Sequence, residues 1–248
     1  MSRIVLTAAS RVGCVRSNNE DMVLAYDKYI RGEAYQTEFM TENNDRFVIA
    51  VADGMGGHNA GEVASSDVLA NLHYFVNDLP KGLSIGEFNE MMVEWLASVN
   101  QVMASKGHAN PDMSEMGTTL VAIVFYGERY YWMNCGDSRL YRFRNGKLFQ
   151  MSTDHSLNTI KGEKRHSNII TNCIGGGCKS PYLDLFEFTD DLLPGDTYLL
   201  CSDGLSDMVP DGKIEQLLQE NASSNRLCEA AIEAGGYDNV SACVFSVM

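Results

Sequence analysis

Five aspartates occupy places where the chain must turn. Asp53 follows the apolar run Phe47 to Ala52 and precedes Gly54, while Asp203 follows Tyr198 to Cys201 and Ser202 and precedes Gly204. Asp137 follows Gly136 at the end of Tyr130 to Cys135, and Asp238 sits between Gly235-Gly236-Tyr237 and the closing run Val240 to Val247. Asp21, with Glu20 beside it, lies in a polar stretch near the start. Any one of them is ordinary turn chemistry, because Asp and Gly both favour turns. As a set they are oxygen ligands delivered at strand ends. Hard divalent cations such as Mg²⁺ and Mn²⁺ prefer oxygen, and two of them close together need a bridging carboxylate and further acids to balance charge.

The elements that would deliver these acids are readable from hydrophobic period. Phe47 to Ala52, Tyr130 to Cys135, Tyr198 to Cys201 and Val240 to Val247 are β-type runs, each with an acid at one end. Leu120 to Phe125, a turn near Gly127, Tyr130 to Cys135, Leu140 to Phe143 and a tight turn at Asn145-Gly146 read as an antiparallel meander. Between the first acid and this meander, two helices are expected. Ala64, Val68, Leu72, Phe75 and Leu79, widened by Val76, share one face; Ile85, Phe88, Met92, Trp95, Val99 and Met103 share another. Ser84 and Glu87 predict a capping box, and Pro80 with Gly82 a connection between antiparallel helices. Two shorter helices are expected around Ile214 to Gln219 and Arg226 to Ala234, the second stopped by Gly235-Gly236. Strands first and last, with paired helices after each sheet segment, predict an α+β layered sandwich in one domain spanning 1–248.

Composition narrows the function. A formal charge of −14 repels nucleic acid and anionic lipid, so neither is an expected partner. No apolar run approaches the ~20 residues of a membrane span, and the start of the chain lacks a secretory pattern, so a cytoplasmic location is expected. The seven cysteines, Cys14, Cys135, Cys173, Cys178, Cys201, Cys228 and Cys243, form no CxxC pair and are read as reduced, mostly core thiols. Met91, Met92 and Met103 are read as helix core.

The ordered motifs resemble those of the type 2C, metal-dependent serine/threonine protein phosphatases, in their bacterial form. They are Gly13-Cys14-Val15-Arg16-Ser17-Asn18-Asn19-Glu20-Asp21, Val51-Ala52-Asp53-Gly54-Met55-Gly56-Gly57-His58 running to Gly61-Glu62, and Met116-Gly117-Thr118-Thr119. Asn134-Cys135-Gly136-Asp137-Ser138-Arg139, Thr153-Asp154-His155-Ser156, Leu200-Cys201-Ser202-Asp203-Gly204-Leu205 and Asp238-Asn239-Val240-Ser241 follow in the family's order. The resemblance implies a four-layer α-β-β-α sandwich with two central, mainly antiparallel sheets and the metal site at one end of the sheet pair. It implies Mn²⁺ or Mg²⁺, two or three per chain. Asp53 would bridge two ions, the Gly54 carbonyl would join one, and Asp203 and Asp238 would complete the other. Asp137 would share a weaker third site with Asp203. Asp21 would hold metal-bound water, Glu20 and Asn239 would support the ligands, and Arg16 would grip the substrate phosphate with a planar pair of donors. A water shared by two cations loses a proton near neutral pH and can displace the serine or threonine oxygen in line, without a phosphoenzyme.

The histidine of the DGHGG pattern of eukaryotic members falls at Met55, so His58 is read as capping or orienting the glycine-rich turn. His155 is read as a loop hydrogen-bonder, and the segment 156–174 as a shortened flap carrying the basic stretch Lys161 to His166. No role is assigned to residues 27–46. The expected partners are phosphorylated proteins, substrates of a serine/threonine kinase, and the chain is expected to act as a monomer. The rival is a catalytically silent phosphoprotein-binding adaptor, which would not need Asp53, Asp203, Asp238 and Arg16 together.

Overall fold

Residues Phe47 to Ala52 are all buried, which an antiparallel strand achieves only when both of its faces are covered. Successive side chains point to opposite faces. Val48, Ala50 and Ala52 pack against helices, while Phe47, Ile49 and Val51 pack against a second sheet. That alternation sets the layering of the whole molecule.

The protein is described by a computed structural model covering residues 2–42, 45–56, 60–161 and 169–248. The chain opens with β1 (Arg3–Arg11), β2 (Met22–Tyr26), β3 (Lys28–Ile30), β4 (Ala34–Met40), β5 (Arg46–Ala52) and the short β6 (Gly54–Met55). Helices α1 (Ala60–Asp78) and α2 (Ile85–Ala109) follow, then β7 (Gly117–Thr118), β8 (Leu120–Tyr126), β9 (Arg129–Cys135), β10 (Arg139–Arg144) and β11 (Lys147–Gln150). Next come α3 (Leu157–Lys161), β12 (Ile174–Gly175), β13 (Asp184–Glu187) and β14 (Thr197–Cys201). The chain closes with α4 (Asp203–Ser206), α5 (Asp211–Gln219), α6 (Ser224–Glu233) and β15 (Val240–Val247).

One six-stranded sheet runs β11-β10-β14-β15-β1-β4 and the other β13-β9-β8-β5-β2-β3, with a small sheet β12-β7-β6 beside them. The pairings between these strands are antiparallel. α1 and α2 cover the outer face of the second large sheet, α4 to α6 cover the first, and an apolar layer from Ile4 to Val247 lies between the sheets. This is the α-β-β-α sandwich.

The helices form where the period placed them. Ser84 and Glu87 exchange both bonds of the capping box. Trp95 Nε1 donates to Asn71 Oδ1 at 2.7 Å, joining α2 to α1. Ile85, expected on the buried face, is exposed in the first turn of α2, and Phe75 is only half-buried. Residues 27–46, left without a role by sequence, contain β3 and β4. β4 leaves the second sheet and pairs with β1 at the edge of the first, from Arg3 opposite Met40 to Ala9 opposite Ala34.

Register brings the acids together. In the first sheet Arg11 faces Val240, Cys201 faces Ala242, and Arg139 faces Cys201. In the second, Met22 faces Ala52, Leu120 faces Cys135, and Asn134 faces Asp184. The turns holding Asp21, Asp53, Asp137, Asp203 and Asp238 all leave from these ends, so both sheets present them on one rim.

Candidate functional site

The glycines that follow Asp53 and Asp203 do more than end a strand. A Cβ on Gly54 would lie 2.1 Å from the Gly61 carbonyl oxygen and 2.6 Å from that of Glu20. Gly54 is paired with Thr118 inside β6, so the missing side chain allows α1 and the Glu20 backbone to close on the Asp53 turn. A Cβ on Gly204 would meet the Asn239 carbonyl oxygen at 1.9 Å. The Asp203 and Asp238 turns therefore touch through their backbones.

Hydrogen bonds then fix each turn. The Asp53 N–H donates to Thr119 Oγ1 at 3.0 Å, and its carbonyl accepts from Thr118 Oγ1 and the Thr119 N–H. Thr119 Oγ1 lies 2.7 Å from Ser138 Oγ, so a pair of hydroxyls links the Asp53 turn to the Asp137 turn. Ser202 Oγ donates to Asp21 Oδ2 at 2.7 Å and accepts from the Ser241 N–H, tying the second sheet to the first beneath the rim. Asn239 accepts the Glu20 N–H and donates to the carbonyls of Val12 and Asn18, so it fastens the loop that carries Arg16.

The carboxyls are crowded. Burial, with Asp21, Asp203 and Asp137 close by and a hydrogen bond to Asp203, holds Asp53 well above the ordinary carboxylate range. Burial and then the Asp203 and Asp154 charges push Asp137 up to about 7. Asp21 is fully buried and pushed up to about 7 by desolvation, and its Oδ1 finds no hydrogen-bond partner among the described residues. Glu20 is also raised, chiefly by burial.

Arg16 and Asp238, expected in separate roles, are paired with each other. Arg16 Nη2 donates to Asp238 Oδ2 at 2.7 Å, and Asp238 Oδ1 accepts the Asn239 N–H. The guanidinium is exposed at the rim, and this pair raises its affinity for its proton. Asp238 thus stands at the mouth of the cluster, while Asp53, Asp203, Asp137 and Asp21 form its interior. Among the described residues, no three Asp, Glu, His or Cys side chains close a finished cage around one point. The donor set still fits hard cations: it is all oxygen, it contains an orphaned buried carboxylate oxygen, and its carboxyls repel one another without a positive charge between them.

That repulsion has a measurable consequence. A carboxyl raised in the fold binds a proton that the unfolded chain releases near pH ~4, so stability falls as pH rises from there to about 7. In excess chelator, the melting temperature is expected to drop by at least about 4 °C between about pH 5 and about pH 8, the shift that 1–2 kcal/mol gives a chain of this size. Mn²⁺ should restore most of it at the higher pH. A melting temperature that rises over this interval would contradict the crowding.

Sequence reasoning missed the residues that hold the rim together. Arg31 Nε donates to the Asp21 carbonyl, its Nη2 donates to the Glu62 carbonyl and to Ser65 Oγ, and its Nη1 pairs with the Glu62 carboxylate at 2.9 Å. Its partners lie 10 and 31 or more positions away, and no local pattern marks it. Thr119 and Ser138 stand within the motifs, yet spacing alone gives neither of them a role. His155 is the loop hydrogen-bonder expected of it, bonded to the Gly136 N–H. Cys201 is a buried core thiol, and Met92 and Met103 are helix core, as expected. His58 and the basic stretch from Gly162 to His166 lie outside the described residues.

Known proteins resemble this chain in sequence and in fold. A family model described as protein phosphatase 2C matches residues 32–232. The chain is 37% identical over its whole length to the serine/threonine protein phosphatase PstP of Mycobacterium tuberculosis, of which it covers 46%. It therefore spans about half the length of that curated relative. It is 31% identical to the serine/threonine phosphatase stp of Listeria innocua, over 80% of this chain and 84% of that protein. Among solved structures, the S. agalactiae serine/threonine phosphatase superposes with a TM-score of 0.83 at 25% identity, covering 99% of this chain and 100% of that one. The catalytic domain of PstP in complex with two manganese ions gives 0.74 at 37% identity, covering 99% of each.

Proposed function

The chain belongs to the protein phosphatase 2C family, and from that premise we propose that it removes phosphate from phosphoserine and phosphothreonine in proteins, using two or three Mn²⁺ or Mg²⁺ ions. The observation that carries the proposal is the cluster of Asp53, Asp203, Asp137 and Asp21, in which the Asp203 charge lies close enough to raise each of the other three carboxyls. Asp53 is close to Asp21, Asp203 and Asp137 alike, which would suit a bridging ligand, and the Gly54 carbonyl, Asp203 and Asp238 would supply further oxygens. Asp137 with Asp203 would hold the third ion. Bound there, the cations supply a nucleophile from water near neutral pH and offset charge on the phosphoryl oxygens.

The chain's own residues bind and orient. Asp238 holds Arg16 by one nitrogen, which leaves further N–H donors on the planar guanidinium to face an incoming phosphate. Asp21, oriented by Ser202, keeps its second oxygen buried without a hydrogen-bond partner among the described residues and would hold a water beside the cluster. Glu20 and Asn239 keep the Arg16 loop against the start of β15. Because the nucleophile comes from water, no side chain need be covalently modified. Residues 1–248 are proposed to act as one catalytic domain with a short flap over 156–174, working as a monomer in the cytoplasm against a serine/threonine kinase. None of the described helices is long and apolar enough to cross a membrane.

The test is release of inorganic phosphate from a phosphothreonine peptide by metal-stripped protein, with and without added Mn²⁺ or Mg²⁺. Release that depends on added cation is the expected result. Equal release in chelator, or none under any condition, would overturn the proposal.

A further inference from the structure

The turn that carries Asp137 is held from both flanks by two consecutive residues, Asp154 and His155. On one side, the Gly136 N–H donates to His155 Nδ1 at 3.1 Å, and the His155 N–H donates back to the Gly136 carbonyl at 3.0 Å. On the other, Arg139 Nε and Nη2 donate to Asp154 Oδ1 and Oδ2 at 2.9 and 2.6 Å, a bidentate pair with both side chains largely buried. Asp137 lies between these two grips and is itself 2% exposed. Asn134 Nδ2 adds a bond to the Gly136 carbonyl.

The same histidine reaches the far end of the flap and the chain beyond it. Its ring is buried, and Nε2 lies 3.1 Å from Asp184 Oδ2 at the start of β13. Asn172 Nδ2 lies 2.9 Å from Nδ1 and donates to the Tyr182 carbonyl, Asn172 Oδ1 accepts the Tyr182 N–H, and the Thr171 N–H donates to the His155 carbonyl. Two donors aimed at Nδ1 leave the ring proton on Nε2, where it is donated to Asp184. One tautomer is therefore consistent with every contact, the Gly136 and Asn172 donors sharing the single lone pair of Nδ1.

We infer that Asp154 and His155 are positioning residues for the Asp137 turn, and that the Nδ1 acceptor of His155 sets how tightly Asp137 engages its cation. This rests on the proposed metal-dependent activity and adds to it a link from the root of the flap to one ligand. A buried peptide N–H that loses its acceptor must find another, and rotating the Cys135–Gly136 peptide to do so would shift the residue next in the chain, Asp137. Partners that orient a ligand in this way change metal affinity without touching the ion.

The test separates the two nitrogens of the ring. An asparagine at this position offers Oδ1 where Nδ1 stands, whereas a glutamine reaches Asp184 but leaves Gly136 without its acceptor. Mn²⁺ binding to the metal-stripped 1–248 chain is measured by titration calorimetry, beside the melting temperature in chelator. His155→Gln is expected to weaken the weakest class of Mn²⁺ sites about tenfold or more, while His155→Asn stays within about threefold of the parent. Each variant gives up part of the imidazole's contacts and should melt at a similarly lowered temperature, so stability alone would not separate them. Equal Mn²⁺ affinities for the two variants would overturn the inference. If His155→Gln does not fold, Asp154→Asn reports instead: weaker binding at the same class of sites supports the clamp, and unchanged binding removes it. A parent chain that binds no Mn²⁺ would instead overturn the proposed function.

Discussion

Replacing Asp53 with asparagine is expected to cut phosphate release by about a thousandfold, the upper range for loss of one preorganised charge-stabilising group. The same change should raise the melting temperature in chelator at any pH above the ordinary carboxylate range, which a merely damaged fold would not do. The two effects share a cause. Asp53 is crowded by Asp21, Asp203 and Asp137, so its charge destabilises the fold until a cation lies among them. Asparagine keeps the shape and a hydrogen bond toward Asp203 but removes one negative charge. The rise in melting temperature that Mn²⁺ gives the parent should shrink in the variant, because fewer charges remain for the ion to neutralise. Activity within tenfold of the parent, or a lower melting temperature in chelator, would show that the carboxyl has another task.

Replacing Gly204 with alanine is expected to destabilise the fold by about 3 kcal/mol, the high end for overpacking a well-filled interior. The added Cβ would sit 1.9 Å from the Asn239 carbonyl oxygen, and backbone on both sides must move to relieve it. That movement separates Asp203 from the Asp238-Asn239 turn, so Mn²⁺-dependent activity should fall even at temperatures where the variant is folded. Gly212 is the control. It lies in α5, where an added Cβ would meet nothing within 4 Å, and alanine there should be neutral or stabilise by up to about 1 kcal/mol. Denaturant unfolding of both variants distinguishes a close backbone approach from a general cost of losing glycine. Equal stabilities would contradict the contact.

Much of the fold is legible in the sequence because apolar period and turn residues report local structure. β15 spans Val240–Val247 as its apolar run does, and the Ser84–Glu87 capping box forms at the start of α2. The acids are legible because each borders a strand, four of them beside strong apolar runs. Pairing between distant segments has no such signal. β4 is a strand only because β1 lies beside it, and its half-exposed alternation gives a weak signal at an edge. Arg31 looks like any surface arginine until the fold places Asp21 and Glu62 against it. The glycines after Asp53 and Asp203 read locally as strand breakers, a sound argument, yet their tighter constraint is the backbone of Gly61 and of Asn239. The Arg16–Asp238 pair spans 222 positions and has no local signature at all.

The most direct measurement is anomalous diffraction at the manganese edge from crystals of the protein grown with Mn²⁺. Strong peaks between the carboxylates of Asp53, Asp203 and Asp238, one of them beside the Gly54 carbonyl, are predicted. Manganese bound only away from Asp53, or no anomalous signal at the rim, would contradict the account.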